Sequence, residues 1–389
     1  MKIVHLLDYF QPVLGYQETF LAREQLKAGH EVIVVCADRF APFPDYEATI
    51  QPVLGERIRA IGRGTEEGIP VWRLPIRYEG QYRCWLAELK PVLQLLRPDV
   101  VHAHNVVKFT TLQAAWWKKE IGYRLLVDDH MHWVNVSQGT AGKLFYGAFR
   151  AVLGNYFSRR IDVHAAITAE TAEISRQLFG FNSKPVHVVE LGVDTEFFQF
   201  DPAVRQTLRQ KYKLTDSDFL VVYTGKVIPE KAPHWLVEAL VHTPDQVKAL
   251  IVGNGAADYQ QKIEAFIVEH QLQERVFFQP AVPQAQLPQF YSAADVGCWP
   301  RQTSIAMLEA AACQLPIVVV AEGVEARVQN NNGLMYQEGN VAELGAHLTY
   351  LTENRAEAEA MGKRGRQLVE ETFSWATISQ QFVALYQNT

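Results

Sequence analysis

Residues 298–320 read CWPRQTSIAMLEAAACQLPIVVV, and this stretch decides the fold class. Apolar, β-branched runs flank it, from Ala294 to Trp299 and from Pro316 to Ala321, and each has the composition of a buried strand. Between them, Ser304 to Cys313 is made of helix formers. Strand, turn, helix and strand in that order make a crossover unit of a parallel sheet. Pro300 to Ser304 then fall at the carboxyl end of a strand, where open α/β sheets bind ligands. Glu309 stands inside the otherwise apolar helix. An acid there must be paired, hydrogen-bonded or turned to a polar cleft.

Working outward, 389 residues is long for one core and predicts two domains. A hydrophobic content of 48% with 21% charged residues describes an ordinary globular chain. Residues 1–180 carry a net charge of +2 and the remainder −8, giving the overall −6. With no basic block, nucleic acid is excluded as the expected partner. The slight basic bias of the first half suits an anionic acceptor or a membrane surface. Cys36, Cys84, Cys298 and Cys313 are scattered, the pattern of buried thiols in a reducing compartment. The start, MKIVHLLDYF, lacks a signal-peptide pattern, and no apolar run reaches the roughly 18 residues of a membrane span. A cytoplasmic protein is expected, with the sequon at Asn135 carrying no sugar.

Alternation of strands and helices runs through the whole chain. The first half offers strands at Lys2–Tyr9, Glu31–Ala37, Val71–Leu74, Asp99–His104, Arg124–Asp128, His164–Thr168 and Val186–Leu191, with helices at Glu18–Ala28, Tyr82–Leu96 and Thr110–Glu120. Gly192 to Phe198, leading to a turn at Asp201-Pro202, reads as the junction. The alternation restarts at Phe219–Thr224, Lys248–Val252, Arg275–Phe278, Asp295–Trp299, Pro316–Val320 and Leu334–Tyr336. In the tail, Trp375, Ile378, Phe382, Leu385 and Tyr386 recur at helical spacing, so an amphipathic helix must find a groove. The expected division is 1–192, 193–372 and a terminal helix over 373–389.

Several residues stand out chemically. Lys226 and Lys231 lie between a strand ending at Thr224 and a helix announced by Pro229 and Pro233. A lysine at a helix N-terminus opposes the macrodipole, so Lys231 is costly without an anion nearby; the alternative is two solvated lysines. Gly253-Asn254-Gly255 either makes a bare turn or lets a ligand approach the backbone. Gly15, between a strand and a helix, poses the same choice, and G-x-G-x-x-G occurs nowhere. His102, His104, His130 and His132 cluster in sequence, but no third ligand at fixed spacing points to a metal. Asp216-Ser217-Asp218 precedes a strand and reads as a turn.

The stretches DYFQPVLGYQE, DVVHAHN, VDDHMH, LGVDTEFF, YTGKVIPEKAPHWLVEAL, IVGNG, AADVGCWP and LEAAACQLPIVVV together resemble the retaining glycosyltransferases of family four. The resemblance covers almost the whole chain and is more specific in its second half. It implies the GT-B fold: two Rossmann-like α/β domains facing a cleft, with the C-terminal helix crossing back to the first. It also implies transfer of a hexosyl unit from a nucleoside diphosphate sugar to a saccharide or lipid-linked acceptor, with no metal and no cofactor beyond the donor itself. Lys226 and Lys231 would bind the donor diphosphate, and Glu309 the ribose hydroxyls. The amides of Thr303, Ser304 and Ile305, together with Gly253, would line the donor site. Gly15 would approach the donor phosphate from the first domain. His130, or His132 failing that, would stand beside the donor sugar or the acceptor.

One position departs from the family pattern. Where relatives carry a glutamate eight residues before the second one, this chain has Arg301, a reversal of charge. A guanidinium there either binds an acidic sugar or acceptor, or turns away to pair with a protein acid. The departure also keeps open a nucleotide-sugar-binding protein that has lost catalysis. A sugar-nucleotide epimerase on the same fold is a third class, for which no acid–base pair is identifiable.

Overall fold

A computed structural model of the chain describes all residues except 81, 134, 135, 137, 138, 182, 183, 302, 303, 323, 325, 388 and 389. Thr303 and the sequon's Asn135 and Ser137 therefore lie outside the described residues. Two compact units appear: Met1–Leu191 with Ile378–Thr389, and Gly192–Thr377.

In the first unit, strands Lys2–Leu6 (β1), Glu31–Ala37 (β2), Gly62–Glu66 (β3) and Ile69–Leu74 (β4) come first. A small antiparallel pair follows, Ile76–Gly80 (β5) with Arg83–Leu86 (β6), and then Val100–His104 (β7), Arg124–Asp129 (β8), Val163–Ala166 (β9) and Val186–Val188 (β10). The main sheet has the order β10-β9-β8-β7-β1-β2-β4-β3, parallel except for β3 against β4. The inner strands are buried on both faces, as a sheet covered by helices requires, although β1, β7 and β8 also bury His5, His102, His104, Asp128 and Asp129.

The helix expected over Tyr82–Leu96 is a correction. Its first part is β6, where Cys84 and Leu86 are buried and Arg83 and Trp85 less so, a period of two. Glu88, at φ 59°, breaks the chain, and the helix runs only over Leu89–Leu96. Sequence also missed β3, which lacks apolar residues and is held to β4 by the left-handed pair Glu67 (φ 49°) and Gly68 (φ 77°). In the tail, a helix spans Trp375–Gln387, with Ile378, Phe382 and Tyr386 buried.

The second unit opens with a helix, Pro202–Lys211, at the place read as a turn. Asp201 caps it, its carboxylate accepting from the amides of Ala203 and Val204 at 2.8 and 3.1 Å. Strands Phe219–Thr224 (β11), Val247–Val252 (β12), Val276–Gln279 (β13), Val296–Trp299 (β14), Ile317–Val320 (β15) and Gly333–Tyr336 (β16) form one parallel sheet. Its order is β13-β12-β11-β14-β15-β16. From β11 the chain builds toward one edge, then returns to add β14 on the other side. The switch point therefore falls between β11 and β14, and the loops carrying Lys226 and Arg301 leave the sheet there.

Candidate active site

The loop after β11 is shaped by its neighbour after β12. A Cβ on Gly253 would stand 1.8 Å from the carbonyl oxygen of Gly225, and one on Gly255 1.9 Å from that of Val227. The Val227 amide donates to the Asn254 carbonyl at 2.9 Å, and the Asn254 side chain accepts from the Ala281 amide at 2.8 Å. Gly253 therefore serves loop against loop, which is a structural reason for the glycine independent of any ligand. The interlock fixes the start of the segment that runs through Lys226 to a short 3-10 turn, Pro229–Lys231.

Lys231 is half-buried, and its ammonium is pushed below the usual lysine range by burial and then by the Lys226 charge. No ion pair among the described residues involves either lysine. Two neighbouring cations with no paired carboxylate among the described residues could hold an anion.

Glu309 lies in the helix Ile305–Ala312 and is only 3% exposed. Gln284 Nε2 donates to its Oε1 at 2.7 Å and the Tyr291 hydroxyl to its Oε2 at 3.2 Å. Thr224 Oγ1 lies 2.9 Å from that hydroxyl, so the threonine donates to Tyr291 and Tyr291 to the carboxylate. Burial raises the Glu309 carboxyl from its ordinary value, and the bonds from Gln284 and Tyr291 oppose the rise. These bonds give each carboxylate oxygen one of the two donors it can accept. Gln284 and Tyr291 were invisible to sequence reading, since neither belongs to a motif. Ser304 caps the same helix, its hydroxyl 3.4 Å from the Ala306 amide, so the Ile305 amide opens the first turn.

Arg301 takes the second of its two expected courses. Its Nε pairs with Glu338 Oε1 at 2.6 Å, both side chains half exposed, and the guanidinium stands 5.9 Å from the Trp235 ring centroid. Glu338 lies just beyond β16, too far along the chain for spacing to have paired it with Arg301.

In the first unit, Gly15 ends a 3-10 turn in the left-handed region (φ 67°), and its amide donates to the Pro12 carbonyl at 3.2 Å. His130 leaves the end of β8 with Nε2 3.4 Å from Asp128 Oδ2. Burial alone would lower the imidazole, but Asp128 outweighs it and raises His130 above the ordinary value. His132 instead pairs with the exposed Glu170 at 3.0 Å. Asp128 is wholly buried. Burial would raise its carboxyl, yet His104, His130 and His102 together hold it well below the usual carboxylate range. Gln17 Nε2 and His104 Nδ1 both reach its Oδ2 at 2.9 Å.

Metal-ligating side chains gather here: His5, His102 and His104, and His104, Asp128 and His130. However, His5 Nδ1 and His104 Nε2 are 3.0 Å apart and hydrogen-bonded, whereas two nitrogens on one tetrahedral zinc stand about 3.4 Å apart. These donors are consumed by one another.

Comparison with known proteins agrees with this architecture. The family model described as Glycosyltransferase Family 4 matches residues 19–197, and that described as Glycosyl transferases group 1 matches residues 204–368. The D-inositol 3-phosphate glycosyltransferase of Xylanimonas cellulosilytica is 32% identical over 42% of this chain and 41% of its own length. The GDP-mannose-dependent alpha-(1-6)-phosphatidylinositol monomannoside mannosyltransferase of Mycolicibacterium smegmatis is 27% identical over 56% of this chain and 61% of its own. The matched region thus spans less than two thirds of either relative. The crystal structure of HepE from Anabaena in complex with UDP superposes with a TM-score of 0.71 over 100% of both chains, at 20% identity, a likeness of fold. With both halves matched and two parallel α/β units of the GT-B class, the chain belongs to the group 1 glycosyltransferases of family 4.

Proposed function

We propose that the protein transfers a hexosyl unit, with retention, from a nucleoside diphosphate sugar to a saccharide or lipid-linked acceptor. The observation that carries this is the half-buried Lys231, held beside Lys226 with no carboxylate on either. A departing nucleoside diphosphate gains negative charge as the glycosidic bond breaks, and fixed ammonium groups stabilise that charge without a metal. In this reading Glu309 accepts from ribose hydroxyls, and the amides of Ser304 and Ile305 serve the phosphates. Gly15 and His130 keep the roles that the family resemblance gives them, near the donor phosphate and the sugar or acceptor.

A thermal-shift screen of UDP-, GDP- and ADP-sugars tests the reading. The true donor at 100 times its Kd should stabilise the protein by about 2.7 kcal/mol. Slow hydrolysis or transfer should follow with that donor alone. Binding without turnover would instead favour a protein that has lost catalysis, the reading suggested by Arg301 being tied to Glu338.

A peripheral membrane contact belongs to the same proposal. Residues 130–161 contain Lys143, Arg150, Arg159 and Arg160 and no acid. On this part of the first unit Leu144 and Val152 are 70% and 72% exposed, and Trp116 is 56% exposed. A cavity of about 620 Å³ opens among Trp116, Trp117, Val152, Leu153 and Tyr156, with Lys119, Arg160 and the acid Glu120, itself paired with Lys90, in its wall. Apolar and aromatic groups amid cations suit an anionic lipid surface. No helix among the described residues is long and apolar enough to cross a membrane. The protein should co-sediment with phosphatidylglycerol vesicles and not with phosphatidylcholine vesicles, and Val152→Asp with Trp116→Ala should abolish it. Equal recovery on both vesicles would remove this contact.

A further inference from the structure

Six buried side chains in the first unit close into a ring. His104 Nδ1 lies 2.9 Å from Asp128 Oδ2, and His104 Nε2 3.0 Å from His5 Nδ1. His5 Nε2 meets Gln25 Oε1 at 2.8 Å, and Gln25 Nε2 donates to the Tyr386 hydroxyl at 3.1 Å. That hydroxyl lies 2.8 Å from His102 Nδ1. His102 Nε2 comes back to 3.2 Å from Asp128 Oδ2, outside hydrogen-bond geometry and with no hydrogen-bond partner among the described residues, so the ring closes there by proximity of charge alone.

The ring has a parity. A neutral imidazole, a carboxamide and a hydroxyl each donate on one side and accept on the other, so each passes on the direction of the bond it receives. An ionised carboxylate only accepts, and here it is approached from both ends. Somewhere the direction must reverse, and only an imidazole carrying both protons can reverse it. With Gln25 Oε1 toward His5 that member is His5 or His104; with the amide turned over it is His102. If all three imidazoles were neutral, a nitrogen lone pair would face the carboxylate oxygen at 3.2 Å in a site closed to water. A proton on Asp128 Oδ2 itself would displace a donor, because Gln17 and His104 already reach that oxygen at 2.9 Å.

We infer that this ring holds one proton more than three neutral histidines and an ionised Asp128, and that Tyr386 of the C-terminal helix, by closing it, sets the net charge facing His130. The bearing on His130 as a site residue rests on the glycosyltransferase reading; the proton count does not. Burial followed by the neighbouring histidines lowers His5, and burial followed by His104 lowers His102 to about 4. Other titratable groups facing the ring are Glu18 from the helix Gln17–Lys27, Asp129 at the end of β8 and His130 just beyond it, and His164 on β9. The C-terminal helix contributes the Tyr386 hydroxyl.

Nitrogen NMR of selectively labelled histidine tests the count, with single substitutions to assign signals. At pH 8, where a free imidazole is only about 3% protonated, one ring histidine should carry both protons. Tyr386→Phe opens the ring and removes the need for a reversal, so all three imidazoles can be neutral, at the cost of leaving Gln25 and His102 Nδ1 each one partner short. The doubly protonated signal should then titrate about one pH unit lower, and His130, facing a less compensated carboxylate, about one unit higher. Gln25→Leu opens the same ring at another bond and should give both shifts, which covers a variant that fails to fold. Three neutral imidazoles at pH 8 in the wild type would overturn the inference, whatever the donor screen shows. Unchanged His130 titration in both variants would remove the role given to Tyr386.

Discussion

Asp128→Ala should cost the protein about 3–5 kcal/mol of unfolding free energy, the usual penalty for removing one partner of a buried ionic group. The carboxylate is 1% exposed and is approached by Gln17, His104, His102 and His130. Its loss leaves N–H groups with no acceptor in a dry site. Asp128→Asn keeps the shape and should cost less. Denaturant unfolding decides, and a loss under about 1 kcal/mol for the alanine variant would show that the cluster repacks or fills with water.

Acidity adds a second readout. His102 is lowered to about 4 in the fold, chiefly by burial, so between pH ~6.5 and 4 the unfolded chain binds more protons and stability falls as pH drops. Asp128 is held well below the ordinary carboxylate value, so its contribution is present above the unfolded value of ~3.9 and is lost on further acidification. The wild type should lose stability in both windows. Asp128→Ala should lose the lower one.

Lys231→Ala should weaken nucleoside diphosphate binding by roughly 10- to 150-fold, the range for one hydrogen bond to a charged group at about 1.5–3 kcal/mol. The side chain is half-buried and repelled by Lys226, and no ion pair among the described residues would be lost on substitution. Its fold should be intact or slightly steadier without the second cation. Calorimetry with UDP and GDP, against the monophosphates as controls, reads the effect. An unchanged Kd for the tighter diphosphate, with the monophosphate equally unaffected, would place the phosphates elsewhere.

Much of the frame was legible because parallel strands buried on both faces are continuous apolar runs. Phe219–Thr224 and Glu31–Ala37 match their expected bounds to the residue. The failures are where burial is one-sided or local. Arg83–Leu86 alternates too briefly to stand out from a helix, and Gly62–Glu66 is a polar edge strand defined by its turn. At the candidate site, the charges announced themselves and their partners did not. Lys231 conflicts with a helix dipole and Glu309 with an apolar helix, both local contradictions that a sequence reveals. The contacts of Glu309 with Gln284 and of Arg301 with Glu338 join different elements, and no periodicity encodes them. The ring through Tyr386 joins positions 361 residues apart, from Gln25 onward, and only the folded chain brings them together.

The fit of Gly253 and Gly255 against the carbonyls of Gly225 and Val227 has a consequence for engineering. The segment bearing Lys226 and Lys231 is not a module. A chimera that imports a relative's loop after β11 while keeping the native turn after β12 joins two surfaces shaped for different neighbours. Any side chain larger than hydrogen at either glycine would push the lysines' backbone outward. Attempts to redirect donor choice by loop grafting should therefore exchange both turns together, as a matched pair.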